Sequence, residues 1–320
     1  MKWEKVKLGD IATCIQPGPF GSQLHNSDYS KEGTPIIMPK DIVGGAIVHS
    51  GLLKVSEEHV KRLSRHQVYE GNLMVARKGD VRKCAYITAN ENGWMTGSDC
   101  LKVVLDESKC YPKFIYYQLR SEHIGRWLEK VSIGATMPSL NTGLLSGIEM
   151  VLPPIEIQKQ IAGILSVYDD LIENNQKQIK LLEEAAQRLY KEWFVDWRFP
   201  GHENTKIVDG VPEGWNEKTL SQVANVIMGQ SPKSEFYNSE KKGLPFHQGV
   251  GSYGVRFVMD DIYSTSYTRI AEPNSILFSV RAPVGRLNIT KNKVVIGRGL
   301  AAINQTDGCQ SYLYYLLKNR

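Results

Sequence analysis

Apolar positions along the chain follow two rhythms. "NLMVARKGD" from Asn72 and "SILFSVRAPVG" from Ser275 are short apolar runs closed by glycine or proline, the pattern of buried strands and their turns. "MTGSDCLKVVLD" and "VVIGRGLAAINQ" repeat that grammar. In "YPKFIYYQLRSEHIGRWLEKV" the spacing shifts towards 3.6: Phe114, Ile115, Tyr117 (or Gln118), Leu119, Ile124 and Leu128 recur, and Pro112 suits a first turn, which predicts one helix. A much longer helix is predicted over residues 153–197, where Gly163 is the only glycine and "PPIEIQKQIAGIL" opens with prolines suited to helix entry. Ile157, Ile161, Ile164, Tyr168, Ile172, Asn175, Ile179, Leu182, Ala186, Leu189 and Trp193 step mostly by four and three, with one slip near Tyr168. That is a coiled-coil stripe with a single polar seam residue, Asn175, of the kind that fixes register. Some forty residues make a rod of roughly 60 Å, far beyond the usual three or four turns. Such a seam asks for an equally long partner, and this sequence supplies one such helix.

The strand-like words are written nearly twice, in the same order. "KWEKVKLGDIATCI" and "GWNEKTLSQVANVI" align Trp3 with Trp215, Leu8 with Leu220 and Ala12 with Ala224. Gly33-Thr34-Pro35 answers Gly243-Leu244-Pro245. Arg77 falls opposite Arg281, and Lys83 opposite Arg286 after a one-residue gap. "FIYYQL" faces "YLYYLL". Four ordered matches predict a duplicated α+β domain: two similar globules of irregular, glycine-rich β structure with a helix near the end of each, joined by a long coiled-coil-type helix. The expected boundaries are 1–153 for the first globule, 154–197 for the spacer helix, 198–213 for a linker broken by Pro200 and Gly201, and 214–320 for the second globule. That second copy is expected to be incomplete, because "QSYLYYLLKNR" ends the sequence where the first copy runs on.

Length and composition change this picture little: 320 residues, 42% hydrophobic and 23% charged, suit two packed domains. No apolar run approaches a membrane span, and the start "MKWEKVKLGD" lacks the apolar core of a signal peptide, so a cytoplasmic location is expected. Cys14, Cys84, Cys100, Cys110 and Cys309 are scattered and odd in number, which points to reduced thiols and to neither a disulfide framework nor a metal site.

Charge is more informative. The net charge is +5 and the pI about 8.8, a mild excess compatible with a polyanionic partner. One knot of cations, "ARKGDVRK", holds Arg77, Lys78, Arg82 and Lys83 around Asp80. From residue 269 onward stand Arg269, Arg281, Arg286, Lys291, Lys293, Arg298, Lys318 and Arg320 against Glu272 and Asp307. Arg77, Lys78, Arg82, Lys83, Arg281, Arg286, Lys291, Lys293 and Arg298 are candidate DNA contacts, since cations on loops meet phosphates and arginine can pair with guanine; the alternative for each is a surface cation or a strand-end salt bridge. Gln16, Gln23 and Gln230, in the glycine- and proline-containing stretches "CIQPGPFGSQ" and "IMGQSPKSEFYN", could read adenine edges, the alternative being that these stretches are plain turns.

Catalytic motifs fail on inspection. "GVGSYG" at residues 249–254 matches G-x-G-x-x-G, but the β-like "VRFVMDDIY" follows where a phosphate-binding helix should begin. "LPPI" at residues 152–155 resembles the Asn/Asp-Pro-Pro-aromatic signature of amino-methyltransferases, yet Leu152 cannot accept a base amino proton and Ile155 cannot stack on a base. No Walker loop is present, and no Ser/His/Asp set can be argued from spacing. Two similar modules on a stiff spacer suit a binder that reads two short sequences a fixed distance apart.

At this point the residues resemble a known family, the specificity subunits of type I restriction–modification systems. The resemblance is carried by W-x-x-V-x-L-G-D-I at residues 3–11, by G-x-P at 33–35, and most specifically by "GATMPSLNTGLLSGIEMVLPPIEIQKQIAGIL" at 134–165. It implies a non-catalytic subunit whose two target recognition domains each read half of a bipartite DNA site. Two long helices pack together as the spacer in that family and dock methyltransferase subunits, while a separate motor subunit translocates and cuts. S-adenosylmethionine, ATP and Mg would then sit on partner subunits, and this chain would bind no cofactor. The departure from the family pattern lies at the end, where this sequence is expected to lack a second spacer helix. The resemblance therefore implies that the seam Ile161, Ile164, Ile172, Asn175, Ile179, Leu182 and Leu189 is a partner interface, either for other subunits or for a second copy in a homodimer. The rival expectation is a coiled-coil adaptor whose β domains bind protein rather than DNA.

Overall fold

The computed structural model describes residues 3–132, 139–306 and 308–319; residues 133–138, which open the family-like phrase, and Arg320, where the sequence ends, lie outside the described residues. The chain divides into two compact units, residues 1–175 and 176–320.

In the first unit an antiparallel sheet runs in the order Ala12–Pro17, Cys100–Leu105, Leu73–Ala76, Cys84–Tyr86. A second sheet runs Tyr29–Ser30, Leu53–Val55, Thr34–Ile37, Met95–Thr96, its last pair parallel. Leu73 and Val75 face one core with Leu101, Val103 and Ile115, while Met74 faces another with Ile37, Ile87 and Cys100. The strand is buried on both sides, which is why its apolar run is continuous.

The second unit repeats this. Its sheets run Ala224–Met228, Leu300–Gln305, Ile276–Ser279, Leu287–Ile289, and Tyr237–Asn238, Tyr263–Ser264, Leu244–His247, Val294–Ile296, Ile270–Ala271. The added strand Ile270–Ala271 has its counterpart in a lone antiparallel bridge, Gln67 to Met95. The duplication reaches individual hydrogen bonds. Gly18 N donates to Cys100 O at 3.0 Å and Gly229 N to Leu300 O at 2.9 Å. Gly97 N donates to Ile37 O at 2.9 Å and Gly297 N to His247 O at 2.8 Å.

The same bonds correct the alignment of the basic turns. Ala76 N donates to Lys83 O and Ser279 N to Arg286 O, each at 2.9 Å; Arg77 N donates to Asp99 O and Val280 N to Gly299 O. There is no gap: Arg77 matches Val280, and the counterpart of Arg281 is Lys78. The predicted helix over "YPKFIYYQLRSEHIGRWLEKV" is also two helices, Pro112–Leu119 and Glu122–Val131. Ser121 has extended backbone and its side chain accepts from Ile124 N, so it caps a new helix rather than continuing the old one. The stretch expected as a linker holds a small hairpin, Ile207–Val208 with Val211–Pro212.

The long helix spans Ile155–Phe194, 40 residues, and each unit grips it through its own helix of the shared "YY" word. In the first unit Tyr117 Oη donates to Asp169 Oδ2 at 2.8 Å, with Arg120 3.9 Å from the same carboxylate. In the second, Tyr315 Oη donates to Glu183 Oε2 at 3.2 Å, and Lys318 stands 3.4 Å from it. Gln158, 2% exposed, accepts from Tyr111 N at 2.9 Å and donates to Pro153 O at 2.8 Å, which pins the helix entrance.

One acid-sensitive feature belongs to the first unit. His66 is 3% exposed; burial, with help from the Arg65 cation, pushes its pKa down to about 4. The unfolded chain takes up that proton near pH 6.5 and the folded chain only near 4, so stability is lost as pH falls through this interval, by about 3 kcal/mol. Denaturant melts at pH 7 and 4.5 should show a clearly smaller acid loss for His66→Gln than for the parent; equal losses would refute the assignment.

Candidate nucleic-acid interface

The basic turns lie between paired strands, at residues 77–83 and 280–286. In the first unit most of their charge is already engaged. Lys78 pairs with Asp99 at 3.1 Å. Arg82 pairs with Glu122 and, at 3.4 Å, with Glu129, and both acids hold its pKa up. Lys83 Nζ donates to Pro39 O at 3.1 Å. Arg77, half-buried, lies 5.8 Å from the Phe20 ring centre. Arg82 and Lys83 thus tie the turn to neighbouring helix and backbone, the alternative to a DNA contact that the sequence left open.

The second unit differs. Arg281, Arg286 and Arg298 are exposed, and among the described residues their side chains have no hydrogen-bond or ion-pair partner. Lys293 pairs with Glu272 at 2.9 Å, and Lys291 lies 5.4 Å from the Phe257 ring centre. Of the glutamines, Gln16 donates its amide to Arg65 O and so holds a loop. Gln23 Oε1 is buried and without a hydrogen-bond partner among the described residues, whereas Gln230 is exposed.

Gln248 was missed by sequence reasoning. With Gly249, Val250, Ser279, Arg281, Ala282 and Gly299 it lines a recess of about 200 Å³; its only sequence signal is its place after the strand Leu244–His247. A Ser/His/Asp set was missed too. His247 Nδ1 lies 2.8 Å from Ser252 Oγ and its Nε2 3.1 Å from Asp260 Oδ1, and Asn292 donates to Asp260 at 3.2 Å. The imidazole is 1% exposed, both its nitrogens are engaged, and burial pushes its pKa down against the pull of Asp260. With its imidazole buried and bonded on both sides, the set fastens residues 249–260 to the strand Leu244–His247.

On the long helix, Ile164, Ile172, Ile179, Leu182 and Leu189 are exposed, with Leu182 at 69%, and Asn175 is exposed among them. Ile161 is the exception: it turns inward onto the core of the first unit, as Ala186 does onto that of the second, because the helix docks each unit along part of the same stripe. Among the described residues no helix is long and apolar enough to cross a membrane, and no group of three or more His, Cys, Asp or Glu could hold a metal ion. All five cysteines are free.

The sequence matches the family of the type I restriction modification DNA specificity domain over residues 1–184 and 212–320. It is 31% identical, over 98% of this chain and 75% of the relative, to a putative type I restriction enzyme MjaX specificity subunit of Methanocaldococcus jannaschii. The MjaIX specificity subunit of the same organism is 27% identical over 99% of this chain and 76% of its own length. Among solved structures, a type I restriction-modification system S subunit from M. genitalium superimposes with a TM-score of 0.56 at 17% identity, covering 99% of this chain and 78% of that one, a likeness of fold. Two β-rich units carrying the same hydrogen bonds, one long helix entering both, and a match of this extent make the chain a member of the type I restriction–modification DNA specificity family.

Proposed function

We propose that the chain is the non-catalytic sequence-recognition subunit of a cytoplasmic type I restriction–modification complex. Each unit reads one half of a bipartite duplex target, and the long helix docks methyltransferase subunits and, through them, the motor subunit. The observation that carries this is the repeated sheet order and hydrogen bonding around one 40-residue helix, a plan suited to two half-sites. The exposed apolar face at Ile164, Ile172, Ile179, Leu182 and Leu189 is the surface offered to partner helices, whether of the methyltransferase or of a second copy of this chain. S-adenosylmethionine, ATP and Mg belong to the partners in this reading.

Mapping methylated bases in cells that carry the chain with its methyltransferase subunit tests it. One bipartite motif should appear with the gene and vanish on its deletion. An unchanged set of methylated motifs would overturn the reading in favour of a protein-binding adaptor. Leu182→Asp should abolish the motif too, by placing a charge at the centre of the docking face, while leaving the melting temperature of the isolated chain unchanged; a retained motif would move the interface elsewhere.

A further inference from the structure

The two basic turns occupy the same place in the duplicated scaffold, so their differences can be read position by position. Lys78 corresponds to Arg281 and Asp99 to Gly299, as the matching bonds Arg77 N to Asp99 O at 2.7 Å and Val280 N to Gly299 O at 2.9 Å establish. In the first unit the Asp99 carboxylate lies 3.1 Å from Lys78 Nζ and neutralises the turn's outward cation. In the second unit that acid is replaced by glycine. A Cβ on Gly299 would stand 2.3 Å from the Gln248 carbonyl oxygen, so the backbone of Gln248 fills the place from which a carboxylate would reach. What remains is an exposed guanidinium, without a hydrogen-bond or ion-pair partner among the described residues, beside a recess of about 200 Å³.

We propose that Arg281 is a phosphate contact to duplex DNA, and that the residue at position 99 or 299 decides whether the cation on each turn is available for one. This rests on the DNA-reading function proposed above. A guanidinium offers a planar fork of donors that fits two phosphate oxygens, and a cation free of a carboxylate releases a DNA counterion when it binds, whereas a neutralised one does not. The inference makes the two units electrostatically unequal: the second supplies a sequence-independent grip through Arg281, while in the first the matching cation, Lys78, is paired with Asp99.

The test uses the full chain and two 40-bp duplexes of unrelated sequence, with binding followed by fluorescence anisotropy between about 50 and 200 mM salt. Arg281→Ala should weaken binding to both duplexes about tenfold and flatten the log–log salt slope by about 0.9. Lys78→Ala should change affinity less than about twofold, because that cation is already spent on Asp99. Asp99→Asn keeps the shape of the site and frees Lys78; it should tighten binding several-fold, and adding Lys78→Ala should cancel the gain. An unchanged slope in Arg281→Ala, a loss confined to one duplex (the mark of a base contact), or an Asp99→Asn chain that binds like the parent would each overturn the proposal. A parent chain with no salt-dependent affinity for either duplex would sink the DNA reading itself, a different outcome from any of these.

Discussion

Gly18→Ala should destabilise the first unit by about 3 kcal/mol or more, a large share of what a domain of this size possesses. Gly18 N donates to Cys100 O, and a Cβ at that position would lie 1.9 Å from the Gly97 carbonyl oxygen. Both partners are backbone, so no rotamer change relieves the overlap; two strands would have to part. The second unit has built the same crossing, where a Cβ on Gly229 would meet Gly297 O at 2.2 Å. Gly229→Ala should therefore damage residues 176–320 and spare the first unit. Hydrogen exchange read segment by segment distinguishes the two: each variant should lose protection in its own unit only. Gly163→Ala is the control, since nothing lies within 4 Å of its absent Cβ and it sits inside the long helix; it should stabilise by about 0.5–1 kcal/mol. A Gly18→Ala chain with the parent's exchange profile would show that the crossing tolerates a side chain.

These glycines mark the border of what the sequence could disclose. The apolar runs at 73–76 and 276–279 and the forty-residue helix were legible because burial imposes a period on the chain. The duplication was legible because both copies obey the same burial. Features set by a single contact were not. The helix break at Ser121 depends on one side chain capping Ile124 N, and serine occurs equally well on an exposed helix surface. The register of the basic turns was misread by one residue, because Arg77 and Arg281 look alike as letters whereas the ladder bonds align Lys78 with Arg281. The candidate interface suffered most. A run of cations shows that charge is present but not which charges are taken, and the acids that take them, Asp99, Glu122 and Glu129, are distant in sequence. Gln248 carried no motif at all, since its place beside Arg281 comes from two loops that only the fold brings together.

Glu183→Ala should cost the second unit about 2–3 kcal/mol, because it removes the acid on which three groups converge. Tyr315 Oη, Lys318 Nζ and the Arg256 guanidinium all reach this one carboxylate, whose side chain is only 20% exposed. Arg256 also lies 5.1 Å from the Tyr314 ring centre and Lys318 5.6 Å from it, so the two cations are held close to one another with Glu183 as their shared counter-charge. Deleting the carboxylate leaves both partly buried and repelling, a larger penalty than the net worth of any one pair. Glu183→Gln keeps an acceptor for Tyr315 but not the charge, and should fall between alanine and the parent. The corresponding acid of the first unit, Asp169, is 41% exposed and has Arg120 at 3.9 Å with Tyr117 at 2.8 Å; solvent screens that pair, and Asp169→Ala should cost only about 1 kcal/mol. Denaturant unfolding of the three variants, followed by exchange within each unit, tests the ranking. Equal losses for Glu183→Ala and Asp169→Ala would mean that the convergence of cations adds nothing to the tyrosine hydrogen bond. The expected inequality would instead make Glu183 the main polar fastening between the second unit and the helix from which it is displayed.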